Sequence, residues 1–199
     1  MKNINLAIIV YSMSGTNYQM AKWAKEAAEE QGANVRLVKV QELAPDSVVQ
    51  GNEVWKNTTE LMKDVALASS DDIEWADAII FSAPTRFGNI PSQLKQFIDI
   101  QGPIWSQGKT VNKVVTGMTS AGNMHGGHEA TLLALYVSMM HWGALIVTPG
   151  YTDDSIYKAG GNPYGTNVPV DQNGEMIEDV KDAIRHQTLR TLEIANKVK

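Results

Sequence analysis

The sequence contains no cysteine, which excludes disulfides, cysteine metal ligands and a cysteine nucleophile. It also has no apolar run near the roughly 18 residues that a membrane-spanning helix needs; the longest, Thr131–Met140, fits a buried helix. Lysine and arginine are scattered, and the formal net charge is −5. Because nucleic-acid binding depends on clustered positive charge, we expect a cytoplasmic protein with no nucleic-acid partner and no membrane span.

Several common catalytic motifs are missing as well. No Gly-x-Gly-x-x-Gly follows the first apolar run, and neither a complete Gly-x-x-x-x-Gly-Lys-Ser/Thr nor Gly-x-Ser-x-Gly occurs; Gly108-Lys109-Thr110 lacks the first glycine of the former motif, since position 103 is Pro103. These absences argue against a dinucleotide-binding Rossmann site, nucleotide hydrolysis and a serine hydrolase. His125 and His128 have no carboxylate or thiol partner at metal-binding spacing, so we expect no metal.

Apolar runs rich in β-branched residues alternate with helical patterns along the chain. The predicted strands are Ile4–Val10, Val35–Val40, Ala78–Phe81, Lys113–Met118 and Ala144–Val147. The predicted helices are Asn17–Gln31, Ser92–Ile100, His128–Trp142 and Met176–Lys197, with a partly helical stretch at Thr59–Leu67. Continuous apolar strands between helices predict an α/β doubly wound, three-layer sandwich: a five-stranded parallel sheet with helices on both faces. We expect the strand order 2-1-3-4-5 known for such sheets, in which the ligand-binding loops follow the first, third and fourth strands.

The length of 199 residues favours one domain, 1–199, with surface insertions near 43–72 and 149–174. The second insertion is rich in glycine, proline, asparagine and aspartate, and it is too long for an ordinary loop. We expect it to cover a site or to contact another subunit.

A loop of small polar residues directly follows the first predicted strand. It consists of Ser12, Met13, Ser14, Gly15, Thr16 and Asn17. A helix start offers free backbone N–H groups and the positive end of the peptide dipoles, which together favour phosphate. Thr16 and Gln19 have capping-box spacing, which predicts a helix start here. The same pattern also fits a strand–turn–helix connection that binds nothing.

Two further polar loops follow the third and fourth strands. The second loop is Pro84, Thr85, Arg86, Phe87, Gly88 and Asn89, and the third comprises Ser120, Ala121, Gly122, Asn123, Met124, His125, Gly126 and Gly127. Since parallel strands end at one edge of a sheet, all three loops should meet there. Gly88 permits close approach of a flat ligand, Phe87 can form an apolar wall, and Arg86 brings positive charge. A surface turn with a solvated arginine is the alternative for the second loop.

Seven sequence segments together carry a family resemblance. They are Tyr11–Gly15, Pro84–Asn89, Gln93–Asp99, Trp105, Gly126–Thr131, His141–Gly143 and Gly160–Gly165. With these segments the chain resembles the flavodoxin-like NAD(P)H:quinone oxidoreductases of the tryptophan-repressor-binding-protein (WrbA) family. The resemblance implies a flavodoxin-like fold, FMN as cofactor, and NAD(P)H and a quinone as substrates that use one pocket in turn. It also implies a homotetramer or a dimer.

The resemblance further implies a role for each loop. The FMN phosphate would bind at Ser12–Asn17, the isoalloxazine against Thr85–Asn89, and Ser120–Gly126 would close over the ring. His141 would reach the flavin from a neighbouring subunit, and Trp105 would line the substrate pocket with Phe87. The flavin carries the chemistry in this family, so no catalytic protein residue is expected.

Two other functions remain open at this point. A flavodoxin-type carrier would bind FMN in the same loops but pass single electrons to protein partners; the mild charge and the long segment 149–174 favour the enzyme. A regulatory protein that binds a transcription factor has no support among these residues. His141, in the last turn of a predicted helix, could also simply cap carbonyls, and Trp105 could be a subunit contact.

Overall fold

Strands and helices alternate along residues 4–199, the part of the chain that the computed structural model describes; residues 1–3 of the predicted domain lie outside it. The strands are β1 (Asn5–Val10), β2 (Asn34–Lys39), β3 (Ala78–Ser82), β4 (Val114–Ala121), β5 (Leu145–Ile146) and β6 (Asn167–Pro169). The helices are α1 (Thr16–Glu30), α2 (Asp46–Gln50), α3 (Glu53–Leu61), α4 (Ser70–Trp75), α5 (Ser92–Asp99), α6 (Gly102–Trp105), α7 (His128–His141), α8 (Asp154–Lys158) and α9 (Lys181–Val198).

The sheet is parallel with the order β2-β1-β3-β4-β5, which confirms the predicted fold. A short sixth strand, β6, is additional. β4 pairs with β5 only through Val114 and Val115, and its last three residues, Thr119, Ser120 and Ala121, pair with β6 instead. β6 therefore supports the end of β4 from which the third loop departs.

The alternating side chains of the strands build two hydrophobic cores. β1 directs Leu6, Ile8 and Val10 toward one face of the sheet, and Ala7 and Ile9 toward the other. α1 and α9 cover the first face, whereas α5 and α7 cover the second. The result is the predicted three-layer arrangement, and it leaves the carboxyl edge of the sheet for the loops.

Two long helices end at glycines in the left-handed region. After α1, Gly32 has φ +78°, its N–H donates to the Glu29 carbonyl at 2.9 Å, and the Ala33 N–H donates to the Ala28 carbonyl at 3.1 Å. This is a Schellman motif, in which glycine avoids the penalty that a side chain would bring. Gly143 ends α7 in the same way.

The last helix begins later than predicted. The pattern over Met176–Lys197 predicts one helix, but α9 starts at Lys181. Met176 instead forms an antiparallel bridge with Val170. Met176 lies in a hairpin, and its apolar side chain packs against the core from there. Its spacing fits a helical pattern, but the residue is partly buried without belonging to a helix.

The predicted helical stretch Thr59–Leu67 is only partly correct. α3 ends at Leu61, and Leu67 forms a parallel bridge with Lys39 at the end of β2. The N–H of Lys39 donates to the Ala66 carbonyl at 2.9 Å. After a turn at 62–64, the chain around Leu67 therefore runs along the edge of the sheet.

The two predicted insertions contain short elements. Segment 43–72 contains α2, α3 and the start of α4, and segment 149–174 contains α8 and β6. Val168 of β6 is completely buried in the core on the α1 and α9 side, so this part of the second segment is internal. Within residues 4–199, no helix has the length and apolar character needed to cross a bilayer.

Candidate functional site

The three predicted loops lie together at the carboxyl edge of the sheet, and Asn17 joins their bases. Its side-chain amide donates to the Ser82 hydroxyl at 3.3 Å, and that hydroxyl donates to the Asn17 carbonyl at 2.9 Å. The Ser120 hydroxyl donates to the Asn17 Oδ1 at 2.6 Å. Asn17 and Ser120 are both almost completely buried, so these hydrogen bonds are shielded from water. Both side chains thus position the loops that the sequence predicts to bind a cofactor.

Replacing Asn17 with alanine should destabilise the protein. The change leaves the buried Ser120 hydroxyl without its acceptor and removes the donor to Ser82. We expect the free energy of unfolding to fall by about 2–4 kcal/mol, measured by urea titration. Asn34→Ala is the control, because Asn34 is exposed and its side-chain amide donates to the exposed end of the Asn5 side chain at 3.0 Å, a bond that the solvent can replace. Equal stability of the two variants would contradict the positioning role.

The first loop ends in a helix start that keeps its N–H groups free. Gly15, at φ +86°, is the N-cap of α1 and provides no side chain. The predicted capping box of Thr16 and Gln19 is therefore wrong: the positive φ of glycine moves the helix start one residue earlier, and the Gln19 N–H donates to the Gly15 carbonyl at 2.9 Å. Within the described chain, the N–H groups of residues 16–18 donate no backbone hydrogen bond.

The hydroxyl of Ser12 is the second free donor of this loop. Its Oγ is buried and has no hydrogen-bond partner among residues 4–199. Buried hydroxyls nearly always have a partner, so an orphan at a loop that ends in free N–H groups indicates a polar ligand. Lysine and arginine are absent from this loop, and its donors are neutral.

A turn from the hairpin after β6 covers part of the first loop. The Thr16 hydroxyl donates to the Gly174 carbonyl at 2.5 Å, and the Ser14 Oγ lies 3.2 Å from the Thr16 Oγ1. A Cβ on Gly174 would lie 2.3 Å from the Cβ of Ser14, so glycine is required for this approach. Sequence reasoning missed this contact, because no local signal links residues 158 positions apart.

The second loop forms a tight turn with an exposed aromatic tip. The Arg86 N–H donates to the Asn89 carbonyl at 2.7 Å, and the Asn89 N–H donates back to the Arg86 carbonyl at 3.0 Å. Phe87 and Gly88 between them have φ +52° and +75°. Positive φ is uncommon for phenylalanine and often occurs at functional sites. The ring of Phe87 is fully exposed, as expected of a side chain that contacts a ligand or another protein.

The polar side chains of the second loop point in three directions: toward the first loop, toward α7 and back to the second loop itself. Arg86 donates to the Thr85 carbonyl at 3.0 Å, and its other amino group lies 3.4 Å from the Met13 sulfur, so it points toward the first loop. The Thr85 and Thr131 hydroxyls are 2.5 Å apart, and Thr131 donates to the Gly127 carbonyl at 2.9 Å, so Thr85 is the donor of this pair. Asn89 accepts from the Ile90 N–H through its oxygen, which leaves its amide as a donor.

The third loop contacts the second backbone to backbone. A Cβ on Gly127 would lie 2.8 Å from the Gly88 Cα, and one on Gly126 would lie 2.4 Å from the Ala121 Cβ. Both positions therefore require glycine. At the root of the loop, the Thr85 N–H donates to the Ser120 carbonyl at 2.8 Å. The middle of the loop, 122–125, is exposed and includes His125, so this part is open to a ligand.

Trp105 and His141 lie at the opposite edge of the sheet. α7 begins at the third loop and rises about 1.5 Å per residue, so its 14 residues place His141 about 20 Å away. Three residues separate His141 from β5, whose Leu145 pairs with the first residue of β4. The Trp105 indole N–H donates to the His141 carbonyl at 2.8 Å, so the two predicted residues do lie together. Within one chain, they do not join the three loops.

An exposed apolar stripe on α7 runs toward this pair. Leu133, Val137 and Met140 are 46, 55 and 64% exposed and recur at helical spacing on one face. Trp105 is 52% exposed at the end of the stripe. Large contiguous apolar surfaces of this kind are typical of protein–protein contacts.

The sequence reasoning also missed a half-buried acidic centre, Glu42, beside the first loop. Glu42 accepts from the Tyr11 phenol at 3.1 Å, the Trp55 indole at 3.2 Å and the Gln93 amide at 2.6 Å. The N–H groups of Leu43 and Ala44 donate to it as well. Burial, reinforced by the Glu42 carboxylate, raises the pKa of Tyr11 well above its usual value, so the phenol remains a donor. No motif marks Glu42, since its partners come from three distant segments.

The arrangement suits a flat, anionic ligand. Free N–H groups and the Ser12 hydroxyl form one end of the edge, and the contact between Gly88 and Gly127 forms a floor without side chains at the other. Arg86 supplies a positive charge between the first two loops. Such a site can bind a phosphate and hold a heterocycle, and it presents no nucleophile or triad for bond cleavage.

Comparison with known proteins agrees with this geometry. The family described as NADPH-dependent FMN reductase matches residues 4–155. A protein named NAD(P)H dehydrogenase (quinone) from Deinococcus radiodurans is 50% identical over 196 residues, which is 98% of this chain and 97% of that protein. A protein of the same name from Aromatoleum aromaticum is 38% identical over 169 residues, covering 81% of this chain and 80% of its own.

Solved structures share the fold. A flavodoxin, WrbA-like protein from Agrobacterium tumefaciens superposes with a TM-score of 0.70 at 23% identity, over 99% of this chain and all of that one. The NADH:FMN oxidoreductase EMOB gives a TM-score of 0.60 at 16% identity, over 96% of this chain and 90% of its own. At these identities the likeness concerns the fold alone, and it confirms the flavodoxin-like architecture.

Proposed function

The chain belongs to the NADPH-dependent FMN reductase family, and from this membership we propose that it is a flavin-dependent oxidoreductase that passes electrons from NAD(P)H to quinones. The observation that carries the proposal is the meeting of three loops around free donors at the carboxyl edge of a flavodoxin-like sheet. The relatives named NAD(P)H dehydrogenase (quinone) support the same activity, as the resemblance in the sequence implied.

We propose that the flavin is FMN. The orphaned Ser12 hydroxyl and the N–H groups of residues 16–18 fit a terminal phosphate, for which the positive end of the α1 dipole adds attraction. The backbone floor at Gly88 and Gly127 fits a flat ring, because a side chain at either glycine would occupy that space or strain the turn. The residues present therefore fit this cofactor.

The second loop would then contact the reacting ring. When bound, a flavin would supply the redox chemistry that links hydride donation by NAD(P)H to two-electron reduction of the quinone. The Asn89 amide and the loop N–H groups would hydrogen-bond the polar edge of the ring, and Arg86 would stabilise negative charge there. The exposed Phe87 would form one wall for the substrate that stacks on the ring. The substrates follow one another in this pocket, which gives ping-pong kinetics.

We further propose that the active unit is a homo-oligomer, with a homotetramer as the expected state. Trp105 and His141 lie about 20 Å from their own loops, at the end of an apolar stripe on α7. Pairing of this stripe with a second copy would hide its exposed apolar area, and the indole and imidazole of one subunit would complete the pocket of another. We place the enzyme in the cytoplasm, where NADH and NADPH are regenerated.

The activity is tested with purified protein and added FMN. We expect NADH or NADPH oxidation, followed by absorbance at 340 nm, to depend on both flavin and benzoquinone. The control omits the flavin. Flavin-loaded protein that oxidises neither nucleotide, or that delivers electrons only to a protein acceptor, would favour the flavodoxin-type carrier instead.

A further inference from the structure

A cavity of about 400 Å³ lies beside the first loop, between the ends of β1 and β2 and the helix α3. Its walls come from the segment 43–72 as much as from the sheet. Ser12 belongs both to this cavity and to the first loop, so the two sites are continuous. The lining includes Tyr11, Lys39, Glu42, Trp55, Thr59 and Lys63.

The cavity presents two ammonium groups. Lys39 Nζ donates to the Met62 carbonyl at 2.6 Å and keeps further N–H donors. Lys63 pairs with Glu60 at 2.5 Å on the surface, and such an exposed pair is weak enough to exchange for a better anion. The carboxylate on the wall, Glu42, is already satisfied by five donors. All five donors are uncharged, so Glu42 keeps its negative charge, and the lining carries two ammonium groups against one carboxylate, an excess of one positive charge.

The same cavity also offers an aromatic and apolar surface. The Trp55 indole is fixed by its hydrogen bond to Glu42 at 3.2 Å. Met62, Val65 and Leu67 supply apolar lining. A purine ring stacks well on a fixed indole, and lysines bind phosphate as point charges. Adenosine carrying a phosphate combines these two requirements.

A second cavity of about 390 Å³ on the other side of the site serves as a contrast. It is lined by Glu129 and Glu178 and by the tyrosines Tyr151 and Tyr164, and no lysine or arginine lines it. Two carboxylates would repel a phosphate at this position. Of these two cavities, the lysine-lined one is the better match for a nucleotide phosphate.

We propose that the lysine-lined cavity binds the adenosine 2′-phosphate end of NADPH, and that Lys39 and Lys63 make the enzyme prefer NADPH over NADH. This inference rests on the proposed function, since a pyridine nucleotide must reach the flavin. The nicotinamide and adenosine of the dinucleotide are joined by a flexible pyrophosphate, so one end can stack on the ring at the second loop while the other enters the adjacent cavity. The 2′-phosphate is the only group by which NADPH differs from NADH.

The direct test is calorimetric titration with 2′,5′-ADP, with 5′-AMP as the ligand that lacks the 2′-phosphate. We expect 2′,5′-ADP to bind more tightly, and Lys39→Met and Lys63→Met each to weaken its binding about tenfold. Lys39→Arg keeps the charge and should largely restore binding. Lys56→Met is the matched control, since Lys56 lies on α3 but does not line the cavity.

Turnover gives an independent readout. The Lys39→Met and Lys63→Met variants should raise KM for NADPH about tenfold, with kcat and the KM for NADH nearly unchanged. An enzyme that reduces quinone but binds 2′,5′-ADP no better than 5′-AMP, or whose lysine variants bind it normally, would overturn the cavity proposal alone. Lysine-dependent binding of 2′,5′-ADP without any turnover would overturn the proposed function alone.

Discussion

Replacing both Ser12 and Thr16 with aspartate is expected to abolish flavin binding. The Ser12 hydroxyl is a buried donor without a hydrogen-bond partner among residues 4–199, and Thr16 is the first residue of α1; we propose that the phosphate binds between them. Two carboxylates there would set negative charge against negative charge in a partly desolvated site, which weakens affinity by at least about a hundredfold. The measurement is titration of FMN fluorescence.

The neutral isosteres Ser12→Asn and Thr16→Asn separate charge from size. They have nearly the same volume as the aspartates, so the double asparagine variant should retain much of the flavin affinity. Acidic residues at a helix N-terminus favour the helix, so the aspartates themselves should not prevent α1 from forming. Circular dichroism checks that all variants are folded. Identical flavin binding by the aspartate and asparagine variants would show that no phosphate lies at this loop.

Placing aspartates at Val137 and Met140 is expected to abolish most quinone reduction while leaving flavin binding intact. The two side chains are exposed on α7, so the monomer should tolerate the change. In a contact between subunits, however, each aspartate would be buried without a partner, and association should weaken by at least about a hundredfold. Sedimentation velocity reports the oligomeric state, and steady-state assays report turnover.

Val48→Asp is the control for this experiment. Val48 is 51% exposed, comparable to Val137, but it lies on α2, away from the stripe. The control should keep the oligomer and the activity. The three loops at which we propose that FMN binds belong to one chain, so a dissociated variant should still bind FMN. A monomeric variant with full turnover would remove Trp105 and His141 from the active pocket.

The strands were predictable because their apolar pattern is local, whereas their order follows from the flavodoxin-like arrangement that the family resemblance implied. Each buried strand is an apolar run, and alternation with helices fixes a parallel sheet. The sequence analysis did not predict β6. This strand has only three residues and ends in proline, so it is too short to show an apolar strand pattern. It forms because β4 continues beyond β5 and offers unpaired backbone groups. That reason becomes visible only in three dimensions.

For the candidate site, the sequence predicted which loops come together but not the role of each side chain. Position after a strand predicts which loops meet, and the structure brings them together. The roles of individual side chains depend on distant partners: Asn17 binds Ser82 and Ser120, which are 65 and 103 positions away. The cavity lined by segment 43–72 was missed for the same reason. Trp55 and Lys63 line it together with residues from the ends of β1 and β2, and no sequence pattern predicts that these segments lie side by side.

The pairing of β6 with the end of β4 also has an energetic consequence. The Ser120 carbonyl accepts from the Thr85 N–H on one side, and the same stretch of β4 pairs with Val168 on the other. The root of the third loop is thereby rigid once the protein has folded. A cofactor that enters such a preorganised cradle orders little of the chain, so its contacts count almost fully toward affinity. We therefore expect residues 167–169, which belong to none of the three loops, to stabilise the third loop and so to influence how tightly the proposed flavin is held.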